Sequence, residues 1–193
     1  MDLSVKPSLS VIDPYSERLV AELHRLGVRH LARLVSIEPP APPMPPAELI
    51  SGLALSGNAR LQAALILLFL RQPAYSYYLT DAFLKISQEL ATEVKLYYQA
   101  AANLQLELAE TIQVTVPLWQ ELPDSFSKEL ELPTVGSLNC TDALITLGHR
   151  HAQLTGLDCN WVESYRQNIP RFLKHLQNDS QGYRARITPA LSG

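Results

Sequence analysis

Phe83, Leu90, Tyr97 and Leu104 recur at seven-residue intervals, and Ser87, Val94, Ala101 and Leu108 form the offset series. Seven residues return an α-helix to the same side every two turns, so the two series trace an a/d-type seam along one face. The spacing predicts a long helical run that starts at Thr80-Asp81 and reaches Ile112. Ser87 and Ala101 thin the seam at two points and permit close helix approach. A seam of this length has to be covered by other helices. The chain is therefore expected to be all-α, a compact multi-helix bundle with a long central helix or helical hairpin and Pro-rich connections.

The remaining helices are read from caps and breakers. Asp13-Pro14 starts a helix, because the Asp13 carboxylate accepts from free backbone N–H groups and proline suits the first helical position. Leu19, Leu23, Leu26, Leu31 and Leu34 follow, and Gly27 in their midst predicts two short pieces rather than one. A short helix is expected over 47–54. Ser56-Gly57-Asn58 ends it, and Asn58 or Ser56 caps the next. That next helix, 59–71, carries Leu65-Ile66-Leu67-Leu68-Phe69-Leu70 and is apolar on nearly every side, which marks a central helix. Asn139 or Thr141 caps a helix to about Thr155, closed by Gly156. Asp158 or Asn160 opens a last helix with Trp161, Val162, Tyr165, Ile169, Phe172, Leu173 and Leu176, which Pro170 kinks or splits. Leu65, Leu68, Phe69, Phe83, Leu90, Val94, Leu104, Trp161 and Phe172 are the expected core.

Between these helices lie two long connections. The Pro-rich strap 39–46 removes backbone donors and fixes φ, so it is expected to be extended polyproline II. Ile112 to Val116 reads as a short strand or as the end of the long helix. Beyond Pro117 an irregular stretch with Pro123 and Pro133 either packs over the core or moves. From Glu107 to Glu131 it is acidic, with Lys128 its one basic residue. Residues 1–178 are expected to form one mainly helical domain, with 1–12 extended and 179–193 a flexible tail.

Composition narrows the class further. Charged residues make up 18% of the 193-residue chain and apolar ones 47%, against a globular norm of about 25% charged. A formal net charge of −3 gives no general attraction to nucleic acid or anionic lipid. The strongest apolar run, Leu61–Leu70, is ten residues long, and a membrane helix needs about 20. No membrane association is expected. The N-terminal residues do not resemble a signal peptide, so the expected location is cytoplasmic.

No constellation of catalytic residues stands out, and no cofactor or metal is expected. Cys140, His149, His151 and Cys159 are the best metal candidates, but His149 and His151, two apart on a helix, point to nearly opposite sides, and no Cys-x-x-Cys pair is present. Buried free cysteines and partly exposed histidines account for this set. The carboxylate pairs Glu89/Glu93 and Glu107/Glu110 read as solvated helix faces, and no phosphate loop or nucleophile elbow occurs. The expected function is therefore non-enzymatic: a helical protein–protein interaction or regulatory subunit whose partner is another chain or a second copy. Its candidate interface is Tyr97, Ala101, Leu104 and Leu108, provided that the seam is left uncovered by the chain itself. The alternative is a nucleic-acid-binding regulatory protein that uses Arg29 and Arg33 in the first helical region and Arg166, Arg171 and Lys174 in the last.

Overall fold

The computed structural model describes residues 13–29, 31, 42–116 and 119–187, with backbone only over 180–187. The expectations for 1–12, for the second piece beyond Gly27, for Pro39 to Ala41, for Pro117 and for the last six residues lie outside the described residues. The architecture is all-α, with no strand among the described residues. The helices are α1 (Pro14–Arg25), α2 (Pro46–Leu55), α3 (Ala59–Arg71), α4 (Leu79–Phe83), α5 (Gln88–Glu107), α6 (Ala109–Thr115), α7 (Cys140–Thr155), α8 (Trp161–Arg166) and α9 (Ile169–Ile187), and a 3-10 segment (Pro73–Tyr78) joins α3 to α4.

Local chemistry accounts for most of the boundaries. The Ser16 backbone N–H donates to Asp13 Oδ2, Arg60 N–H to Asn58 Oδ1, Asp142 N–H to Asn139 Oδ1 and Glu163 N–H to Asn160 Oδ1. Each bond satisfies a donor that the first turn of a helix leaves free. Gly156 closes α7 in the left-handed region at φ +70°, which glycine enters without a Cβ penalty. Pro170 divides the last helical region into α8 and α9, because Ile169–Pro170 begins a helix in a position where proline lacks no needed donor.

The long run expected from Thr80 to Ile112 is instead three helices. α4 ends at Phe83, α5 begins only at Gln88, and Leu108 separates α5 from α6. Ser87 causes the first break: its backbone is extended, and its hydroxyl accepts from Leu90 N–H as an N-cap. A short hydroxyl side chain can fill a seam or cap a helix, and here the cap prevails. Residues 112–115 are helical rather than extended. Phe83 and Leu90, which flank the break, are half-buried instead of core. The other expected core residues are buried, from Leu65, Leu68, Phe69, Val94 and Leu104 to Trp161 and Phe172. Beyond residue 178, where a tail is expected, the α9 backbone stays helical to Ile187.

α5 lies at the centre. Every residue from Val94 to Gln105 is buried, because α3 and α7 pack on it and the 119–139 connection covers what they leave open. That connection packs over the core rather than moving free of it. Tyr98 Oη donates to the Pro123 carbonyl at 2.9 Å, Gln99 Nε2 to Asp124 Oδ1 at 3.1 Å and to Ser127 Oγ at 2.7 Å. Gln105 grips it twice: its Nε2 donates to the Gln120 carbonyl and its Oε1 accepts from Leu122 N–H. Leu122 and Leu130 insert into the core, and Phe126 packs edge-on against Tyr98 and Phe83. Asp179 accepts from both Arg29 and Arg71, at 3.0 and 3.3 Å, and ties α9 to the α1 and α3 region.

Candidate functional site

The stripe expected to form an interface belongs to the interior. Tyr97, Ala101 and Leu104 are buried, and Leu108 is half-buried against the core. α3 and α7, which pack on α5, together supply the cover that a single helix of matching length would have given, and His151 of α7 meets Tyr97 edge-on. As a free surface this stripe is a correction: the seam is satisfied within the chain.

The basic residues are dispersed. Arg166 makes a two-pronged bond to Glu107, with both N···O distances 2.7 Å, and Arg29 is engaged with Asp179. Acids of the 107–131 stretch are paired within the chain: Glu107 with Arg166, Glu129 with Lys95 and Glu131 with Arg150. Arg171 and Lys174 are exposed on α9. Arg33 lies outside the described residues.

Large apolar side chains reach water at several places, and three of them fall in one short stretch. Tyr77 is 72% exposed, Tyr78 42% and Leu84 83%. Tyr77 and Leu84 stand seven positions apart, two turns along the segment formed by the end of the 3-10 helix and α4. Buried Leu79 and Ala82 hold the inner side of this segment against the core. Asp81 and Lys85 are exposed between and beside the apolar residues.

The cysteines and histidines occupy four different environments. Cys140 is half-buried and Cys159 exposed, both as free thiols. Burial, reinforced by the neighbouring Glu107 carboxylate, pushes the Cys140 thiol up to about 12, so it is a poor nucleophile at neutral pH. His149 is exposed, whereas His151 is buried rather than partly exposed. The described residues contain no group of three or more His, Cys, Asp or Glu placed to hold a metal ion.

His151 is the centre of an aromatic cluster. Its ring stacks on Trp161 with centroids 3.4 Å apart and planes 12° from parallel. Tyr97 meets the same ring edge-on at 5.5 Å. His151 Nδ1 and Tyr165 Oη are 2.8 Å apart. Burial lowers His151 to about 4, so the imidazole is neutral. Burial also raises the Tyr165 hydroxyl, which keeps its proton and shares a hydrogen bond with Nδ1. Gly148 leaves room for this packing, since a Cβ there would stand 3.1 Å from Trp161 Cβ and press on it. A cavity of about 320 Å³ opens beside these rings, lined among others by Ala63 of α3, Glu93 and Tyr97 of α5, His151 of α7 and Trp161 of α8. The signal for His151 was present in the sequence: Leu144, Leu147 and Gly148 share its helix face at spacings of seven, four and three.

Compared with known proteins, the chain matches no family model, no curated protein and no solved structure. Among the described residues, no helix is long and apolar enough to cross a membrane.

Proposed function

We propose that this chain is a non-enzymatic, cytoplasmic regulatory protein that acts by pairing with another protein chain, and that the partner is a second copy of itself. The observation that carries this reading is the exposure of Tyr77, Tyr78 and Leu84 within eight residues of one another. Tyrosine is enriched at interfaces because its ring packs while its hydroxyl meets water. Asp81 and Lys85 favour self-pairing. A two-fold axis across the segment sets Asp81 of one copy against Lys85 of the other, so one patch carries both halves of its own charge complement. The free thiols Cys140 and Cys159 are in keeping with a reducing compartment. The nucleic-acid alternative has less support, because Arg29 and Arg166 are held by acids of the same chain.

Sedimentation velocity across a concentration series tests the reading. The expected result is a dimer that Leu84→Asp converts to a monomer. Leu84 is 83% exposed, so this substitution should leave the unfolding midpoint within about 0.5 kcal/mol of the starting protein. A protein that stays monomeric throughout the series overturns self-pairing. So does a dimer that Leu84→Asp leaves intact. Steeply salt-dependent retention of nucleic acid by the monomer would put the α9 bases in its place.

A further inference from the structure

We infer that the cavity beside Tyr97, His151 and Trp161 is a binding site for a small organic ammonium ion, with Glu93 as its counter-charge. Size comes first: about 320 Å³ lies within the range of cavities that hold small molecules, roughly 300–1,000 Å³. Three aromatic side chains line it, and the rings of Tyr97 and Trp161 offer the negative π-density that attracts cations. His151 leaves this attraction intact, because burial keeps its imidazole neutral.

Charge supplies the second, independent observation. The lining holds two acids, Glu93 and Asp158, and one base, Arg60. Glu93 is half-buried, yet it has no ion pair or hydrogen bond among the described residues. The other acids that are buried or half-buried have an arginine: Glu22 pairs with Arg25, Glu48 with Arg18 and Asp179 with Arg29 and Arg71. Burial raises the Glu93 carboxyl, and no neighbouring cation offsets it. Arg60 therefore stands on the rim without serving as its partner. Glu93 in turn acts on the ring beside it: the Tyr97 hydroxyl is pushed up first by burial and then by the Glu93 charge. A carboxylate desolvated beside aromatic rings and lacking a protein cation complements an ammonium group, which restores its partner and lays its organic portion on the rings.

The test uses the intact protein and three probes of one shape: 2-phenylethylammonium, neutral 2-phenylethanol and anionic phenylacetate. Calorimetric titration reads affinity, and the two indole N–H resonances, assigned with Trp119→Phe, show which tryptophan responds. The expected result is saturable binding of the ammonium that shifts the Trp161 resonance. Affinity should be lower by about tenfold or more for the alcohol, and lower by a similar factor in Glu93→Gln, the loss expected when a charge-assisted contact is removed. Equal binding of ammonium and alcohol, which is read in the unaltered protein, overturns the inference. So does an ammonium that fails to bind saturably, that shifts Trp119 alone, or that binds a folded Glu93→Gln variant unchanged.

Discussion

α3 and α5 pack side by side in the interior, and both are enclosed on all sides along much of their length. They achieve this with opposite chemistry. The buried stretch of α3, Ala64 to Leu70, is wholly apolar. The buried stretch of α5 includes Lys95, Gln99, Asn103 and Gln105. Apolar burial stabilises without direction, whereas a buried amide stabilises only where a partner stands at the right distance and angle. α3 therefore gives the bundle its cohesion, and α5 determines where the 119–139 connection lies. Gln99 and Gln105 hold it at two points six residues apart.

Three substitutions sharpen this contrast. The largest effect is expected in α3: Phe69, fully buried and packed edge-on against Tyr98 at 5.2 Å, should cost about 3–5 kcal/mol on truncation to alanine, measured by urea unfolding. An unchanged midpoint would remove α3 from the core. The next is Gln105→Leu, which keeps the volume but strands Leu122 N–H and the Gln120 carbonyl. It should cost about 1–3 kcal/mol, and limited proteolysis should then cut first within 119–139. Cleavage elsewhere first would mean that Gln105 does not anchor the connection. The smallest is Lys95→Met. Lys95 is buried and lies over the Phe83 and Phe126 rings, while its partner Glu129 remains half in water, with side-chain exposures of 9% and 52%. Methionine can fill the same apolar channel and Glu129 can rehydrate, so stability should stay within about 1 kcal/mol of the starting protein. A loss as large as that of Phe69→Ala would show that the ion pair, rather than the packing around it, holds the connection.

The same contrast explains what could be read from the sequence. The apolar run of α3 announces a central helix without reference to any other part of the chain. The caps Asp13, Asn58, Asn139 and Asn160 and the breaker Pro170 act within a few residues of themselves, so they too are legible. α5 differs, because its Tyr98, Gln99 and Gln105 are held by partners 15 to 28 residues away. Helical periodicity carries no information about such partners. The expectation of an exposed stripe at Tyr97, Ala101 and Leu104 fails for a related reason: the seam spacing does not say whether other helices of the same chain cover it, and α7, whose His151 meets Tyr97 edge-on, packs on α5. Ser87 was ambiguous in a different way, since a seam position and a cap position call for the same small residue. The cavity was hidden because its walls come from four helices, although the spacing of Leu144, Leu147 and Gly148 placed His151 on the buried face.

The double tie at Asp179 has a kinetic side. Its arginines precede it by 150 and 108 residues. At about 5–20 residues per second of synthesis, Arg29 joins the growing chain roughly 8–30 seconds before its acceptor does. Throughout that interval the helices between them can form and pack, but the half-buried Arg71 guanidinium has no counter-ion from α9. Closure of the bundle at this corner is thus among the last steps of its birth, set by the clock of translation rather than by the rate at which helices dock.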